Sequence, residues 1–171
     1  MDIHTTDKQP KILVVDDRLE NLQLLKKLLT EEGYSVRQSP DGALALSNIP
    51  RFQPDLVLLD IMMPEMDGYT VCQNIKSNEQ SKDIPVIFLS ALDLTFDKVK
   101  AFESGGADYI SKPFHPAEVI VRVKNQLKMR QQSLQADEQQ SIIQTQKQRI
   151  DELEQSHQRL EAAYRQSIAQ K

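Results

Sequence analysis

Three short aliphatic runs, Ile12 to Val15, Leu56 to Leu59 and Val86 to Leu89, contain no polar residue at alternate positions. A strand with one wet face alternates apolar and polar side chains, so these runs read as strands covered on both sides, as in a parallel sheet between helices. Tyr34 to Gln38 and Asp108 to Ile110 are expected to supply two weaker strands. Helical stretches fall between them. Leu19, Leu22, Leu25 and Leu29 share one face of the first, which Gly33 is placed to stop, and Asp41 can cap a second containing Ala43, Leu44 and Leu46. Asp67-Gly68 introduces a third through Val71, Cys72 and Ile75, and a fourth is expected from Thr95 to about Glu103. Five strands alternating with helices predict a doubly wound five-stranded parallel α/β domain, with ligands bound at the strand C-termini.

What stands at those C-termini narrows the chemistry. Asp16 and Asp17 follow the first run, Asp60 follows the second, Ser90 closes the strand from Pro85, and Lys112 lies just beyond Tyr109-Ile110. In one parallel sheet these residues share an edge, where three carboxylates and one ammonium suit a divalent metal and an incoming phosphoryl group. Asp60 is the candidate nucleophile, because a carboxylate can attack phosphorus to form an acyl phosphate. Asp16 and Asp17 would hold magnesium, Lys112 would pair with the transferred group, and Ser90 could donate to a phosphoryl oxygen. Each has a plainer alternative: Asp17 with Glu20 as a capping box for a helix beginning near Arg18, Asp16 as a solvated turn residue, Asp60 as the lead into the Pro64 to Gly68 turn, Lys112 as a surface cation, and Ser90 as a helix cap. Tyr109 reads equally as a core aromatic or a mobile reporter. Four charged groups at corresponding strand ends are much harder to obtain by accident than any one of them.

Bulk properties exclude several classes. A net charge of -4 over 171 residues gives no general attraction to nucleic acid or anionic lipid. Cys72 is the only cysteine, so no intramolecular disulfide can form, and its apolar helical setting reads as a buried thiol. With no charged-then-apolar leader and no run near the roughly 20 apolar residues that span a bilayer, the chain is expected to be soluble and cytoplasmic. His4, His115 and His157 show no metal-ligand spacing.

Residues 1–10 read as a polar, flexible tail, 11–130 as the α/β domain, and 131–171 as a helical extension continuous with the domain's last helix. Beyond Pro116 the chain is rich in Gln and lacks Gly and Pro, which predicts uninterrupted helix. Val119, Ile120, Val123 and Leu127 can pack on the sheet. Farther on, Ile143, Ile150, His157 and Tyr164 recur every seven residues with Leu153 and Leu160 offset by three, an a/d seam that predicts helix pairing. Leu134 is out of that frame, and Gln146, His157 and Ser167 are polar seam positions, a break resembling a stutter. The plainer alternative is a lone solvated amphipathic helix.

Val14-Val15-Asp16-Asp17, Leu58-Leu59-Asp60-Ile61-Met62-Met63-Pro64-Glu65-Met66-Asp67-Gly68, Phe88-Leu89-Ser90-Ala91 and Gly106-Ala107-Asp108-Tyr109-Ile110-Ser111-Lys112-Pro113-Phe114 together resemble the receiver domain of two-component response regulators, over roughly Lys11 to Lys128. The resemblance implies a CheY-like, flavodoxin-like fold and phosphotransfer to Asp60 from a histidine kinase or phosphotransfer protein. It also implies Mg2+ bound directly by Asp17, Asp60 and the Met62 backbone carbonyl with Asp16 assisting, Ser90 and Tyr109 as coupled switch residues, and a cis Lys112-Pro113 bond. The extension resembles signalling helices that connect receivers to output modules.

The expected function is therefore a phosphorylation-dependent regulator, not a turnover enzyme, that passes its state to a C-terminal dimerising helix, with a downstream output module as a further partner. One alternative is a constitutive coiled-coil scaffold. Another, less favoured, is an aspartate-nucleophile phosphohydrolase of the haloacid-dehalogenase type, whose two aspartates are separated by one residue, unlike the adjacent Asp16-Asp17. A basic-zipper DNA binder is weaker still, because Arg122, Lys124, Lys128 and Arg130 are sparse and interleaved with core positions.

Overall fold

A computed structural model of the chain describes residues 9–90, 99–101 and 103–169, with side chains described through 166. Nearly all of the expected N-terminal tail, and the expected fourth helix before residue 99, lie outside these residues; residues 99–101 and 103 are helical. The strands are β1 (Lys11–Val15), β2 (Ser35–Ser39), β3 (Leu56–Asp60), β4 (Val86–Ser90) and β5 (Asp108–Ser111). The helices are α1 (Leu19–Glu31), α2 (Gly42–Phe52), α3 (Gly68–Ser77) and α4 (Pro116–Ala169).

All strand pairs are parallel, in the order β2-β1-β3-β4-β5. The chain leaves β1 toward one edge and later leaves β3 toward the other, so a crevice opens above their C-terminal ends, the usual ligand position in an open α/β sheet. The uninterrupted apolar runs are explained by burial on both faces. Leu13, Val15, Val57 and Leu59 join one core cluster with Ala45, Ile49, Val71 and Ile75, while Ile12, Val14, Leu56 and Leu58 join another with Leu22, Leu25, Leu29, Val119 and Val123. Each fully buried Val, Leu or Ile among them contributes about 1.5–3 kcal/mol.

Local signals set the element ends. Gly33 adopts φ +88° after α1, donating to the Thr30 carbonyl while Tyr34 donates to that of Leu29, the double closure of a Schellman turn. Asp41 and Asp67 cap α2 and α3 by accepting from the Leu44 and Thr70 amides. Leu19 departs from expectation. It is the first residue of α1, ahead of the face formed by Leu22, Leu25 and Leu29, and is 65% exposed.

The chain divides into two compact units, Met1–Arg130 and Gln131–Lys171. In the first, Val119 and Val123 of α4 are fully buried and Leu127 is partly buried against the same cluster. In the second, Leu134, Ile143, Ile150, Leu153, Leu160 and Tyr164 are each more than half exposed. Among the described residues no helix is long and apolar enough to cross a membrane.

Candidate functional site

The crevice above β1 and β3 gathers the acidic residues. One carboxylate oxygen from each of Asp16, Asp17 and Asp60 lies within 4.8 Å of the others, with Asp16 and Asp60 buried and Asp17 exposed. Asp16 follows β1 directly, Asp60 is the last residue of β3, and the pairing of Val15 with Leu59 sets the two strand ends side by side. Lys112 arrives from the far side of β4. Its backbone amide donates to the Ser90 carbonyl at 2.7 Å, which fixes the chain after β5 beside the end of β4. From there its ammonium reaches Asp16 Oδ2 at 2.8 Å and Asp60 Oδ1 at 3.0 Å. The Lys112-Pro113 peptide is cis.

Electrostatically the site is unfinished. Among the described residues three carboxylates face one ammonium there, which leaves about two negative charges to be compensated in a half-buried crevice. Burial pushes the Asp60 carboxyl above its ordinary range, opposed by the hydrogen bond and charge of Lys112, with the Asp16 charge pushing it up further. An all-oxygen donor set with a charge deficit of two fits a hard divalent cation. Asp16, Asp17 and Asp60 could hold a metal.

The plainer readings of Asp16 and Asp17 meet different geometry. Arg18 is the N-cap of α1 and makes no side-chain cap bond, so the Asp17–Glu20 capping box does not form there. Asp16 is fully buried, not a solvated turn residue. It accepts from the Arg18 amide at 2.9 Å and from Asn21 Nδ2 at 3.0 Å on Oδ1 and 2.9 Å on Oδ2. Asn21 is the residue that sequence reasoning missed. Its signal was an amide on the first turn of a helix five residues after a strand-end carboxylate, too common a pattern to single out unaided.

The loop after β3 is pressed onto Asp60. Met62 donates its amide to Asp60 Oδ1 at 3.4 Å and exposes its side chain, Glu65 adopts φ 61°, and Gly68 donates to the Ile61 carbonyl at 2.9 Å. Ser90 is buried at the end of β4, next to Ser111. Tyr109 is half-buried on β5 against the first core cluster. The Arg122 guanidinium lies 5.5 Å from its ring centre and is paired to Asp108 at 2.7 Å and Glu118 at 2.9 Å.

A 2-1-3-4-5 parallel sheet with three acids at the ends of β1 and β3, and a lysine from beyond β5 reaching two of them, has the architecture of a receiver domain. The sequence profile of the response regulator receiver domain matches residues 12–124, and the chain belongs to that family. It is 42% identical to the DNA-binding dual master transcriptional regulator RpaA of Synechocystis over 115 residues, covering 67% of this chain and 48% of that protein. It is 43% identical to the response regulator PleD of Caulobacter vibrioides, covering 67% of this chain and 25% of PleD. This chain thus spans about half the length of one relative and a quarter of the other. Among solved structures, a putative response regulator from Chloroflexus aurantiacus superposes with a TM-score of 0.69 at 36% identity, covering 71% of this chain and 99% of that one.

Proposed function

We propose that residues 11–130 receive a phosphoryl group on Asp60 from the phosphohistidine of a histidine kinase or phosphotransfer protein, and that residues 131–171 carry the change of state to a second copy of this chain. The observation that carries this reading is the Lys112 bridge, 2.8 Å from Asp16 and 3.0 Å from Asp60, inside a cluster of three carboxylates.

An oxygen of ionised Asp60 attacks phosphorus; the new P–O bond forms as the P–N bond breaks, and the imidazole leaves with the electron pair. Asp17, Asp60 and the Met62 carbonyl would hold Mg2+ directly, with Asp16 assisting. Bound there, Mg2+ would screen the repulsion between the carboxylates and the phosphoryl oxygens. Lys112 then exchanges its contact with Asp60 for one with the transferred group. Ser90, at the adjacent strand end, donates to a phosphoryl oxygen, and Tyr109 follows it inward as the second switch residue. The role is regulatory acceptance, not turnover, and a cytoplasmic location accords with it.

Phosphorylation adds about two negative charges beside Lys112. Shifting a two-state population from 1:99 to 99:1 requires about 5.5 kcal/mol of differential stabilisation, so pairing between copies is part of the switch. The recurring apolar residues of Gln131–Lys171, exposed in a single copy, support that pairing. A downstream output module would read it.

The test is treatment with a small phosphodonor and Mg2+, followed by intact mass and sedimentation. Added phosphate on the parent chain and none on Asp60→Asn is expected. No added phosphate on the parent ends the receiver reading; phosphate with unchanged assembly ends only the coupling, and leaves a constitutive scaffold.

A further inference from the structure

The Asp16 carboxylate is saturated by the protein. A carboxylate offers about four lone-pair sites, and those of Asp16 meet the Arg18 amide and Asn21 on Oδ1, and Asn21 and Lys112 on Oδ2. Asp17 is the opposite case: it is exposed, and no hydrogen bond or ion pair engages it among the described residues. The two adjacent acids are therefore not equivalent toward a cation. Asp17 offers open lone pairs, while Asp16 offers charge from oxygens already taken.

Of the groups that hold Asp16, two are fixed by the local chain and one is shared. The Arg18 amide belongs to the turn that leads into α1, and Asn21 stands on the first turn of that helix. Lys112 divides its ammonium between Asp16 and Asp60. A cation in the cluster competes with that shared ammonium for the carboxylates, and a phosphoryl group on Asp60 competes with the carboxylates for the ammonium. Asn21 does not depend on Asp60 and remains.

We propose that Asn21 is a positioning residue for the phosphoryl-transfer site: it grips both oxygens of Asp16, keeps that carboxylate oriented as a charge outside the cation's own ligand shell, and goes on holding it when Lys112 turns to the phosphoryl group. This rests on reading the cluster as the cation and phosphoryl site. The Asn21 bonds matter more in the loaded site than in the empty one, because in the empty site Lys112 supplies a second strong anchor. An interaction worth more in one state than in another appears as a change in affinity.

Titration of the full chain with Mg2+ by calorimetry tests this directly, with Asn21→Leu and the smaller Asn21→Ser as variants and circular dichroism melting as the check on folding. Hydrogen bonds to charged groups are strong enough for about a tenfold rise in the Mg2+ dissociation constant in either variant. Melting of the empty protein should move little by comparison. In an Asp16→Asn background, replacing Asn21 should have no further effect on Mg2+ binding, since the amide acts through that carboxylate. Unchanged Mg2+ affinity in both variants, or an equal loss with Asp16 already replaced, overturns the role of Asn21 while leaving the receiver reading intact. A parent chain that binds no Mg2+ overturns both.

Discussion

The α-carbon of Gly68 lies against the backbone of Asp60, so close that a β-carbon there would run into the Asp60 carbonyl oxygen and sit 2.9 Å from Ile61 Cα. The obstacle is backbone, not a side chain that could rotate away. The loop carrying Met62 to Asp67 therefore returns to the strand end only because residue 68 has no side chain. Gly68→Ala should cost about 1–3 kcal/mol of stability through overpacking. It should also slow phosphorylation by a small donor more than the stability loss accounts for, because the atoms displaced belong to the acceptor. Denaturant midpoints and intact-mass time courses on the same variant check the two effects.

Asp60 carries a stability cost for its chemistry. Burial raises its carboxyl above the ordinary range, with Lys112 only partly opposing. The folded state thus holds the proton more tightly than the unfolded chain, so stability falls as pH rises through the raised value. At neutral pH the ionised carboxylate works against folding. Asp60→Asn should raise Tm by a few degrees at pH 7 without Mg2+. The difference should narrow as pH falls toward about 4, the ordinary carboxylate value. Equal melting temperatures at pH 7 would contradict the assignment of burial as the dominant cause.

Asp67 titrates in the opposite sense. Hydrogen bonding from Thr70 holds its carboxyl below the ordinary value, as suits a residue capping α3. Its contribution is fully present above the ordinary carboxylate range and is lost as pH falls through the lowered value. Asp67→Ala should cost about 1 kcal/mol at neutral pH, the usual cost of removing an N-cap side chain. Chemical denaturation at neutral pH and again under acid conditions should show the penalty shrinking in acid.

Gln53 ends α2 in the left-handed region, at φ 51°, donating its amide to the Ile49 carbonyl. That conformation costs a side-chain-bearing residue about 1–2 kcal/mol, while glycine adopts it freely and gives back about 0.5–1 kcal/mol in unfolded-state entropy. Gln53→Gly should leave a net gain of about 0.5–1 kcal/mol. Equilibrium unfolding resolves a change of that size, and a loss of stability would mean that the Gln53 side chain contributes more than its backbone strain costs.

The two-sided strands and the strand-end acids were legible because their signal is local: an unbroken aliphatic run defines a buried strand, and the residue after it defines the edge. Contacts set by three-dimensional register were not. Leu19 fits the periodicity of α1 but precedes the turns that face the sheet. Asp17 and Glu20 have capping-box spacing, yet the helix starts one residue later, and the Glu20 carboxylate pairs with the Arg18 guanidinium instead. Asn21 could be connected to Asp16 only once the path of that turn was fixed. Lys112 was legible as a member of the strand-end cluster, but its division between Asp16 and Asp60 depends on its amide bonding to the Ser90 carbonyl, a contact between distant parts of the chain.

The seam in Gln131–Lys171 makes a prediction about orientation as well as assembly. With Ile143 and Ile150 at a and Leu153 and Leu160 at d, Arg149 falls at g and Glu154 at the following e. In a parallel pair, g of one helix meets the next e of its partner, so Arg149 faces Glu154 of the other copy; in an antiparallel pair, like positions meet like. Ile150→Lys with Leu153→Lys keeps helix propensity and removes about 1.5–3 kcal/mol of burial per side chain. It should yield monomers in sedimentation while phosphorylation of Asp60 proceeds at the parent rate, because both sites lie outside the unit Met1–Arg130. Arg149→Glu alone should weaken association through like-charge contact, most strongly at low salt, and adding Glu154→Arg should restore it. Restoration by the double exchange is expected only of the parallel arrangement; a double variant as weak as the single one would mean that the helices run in opposite directions.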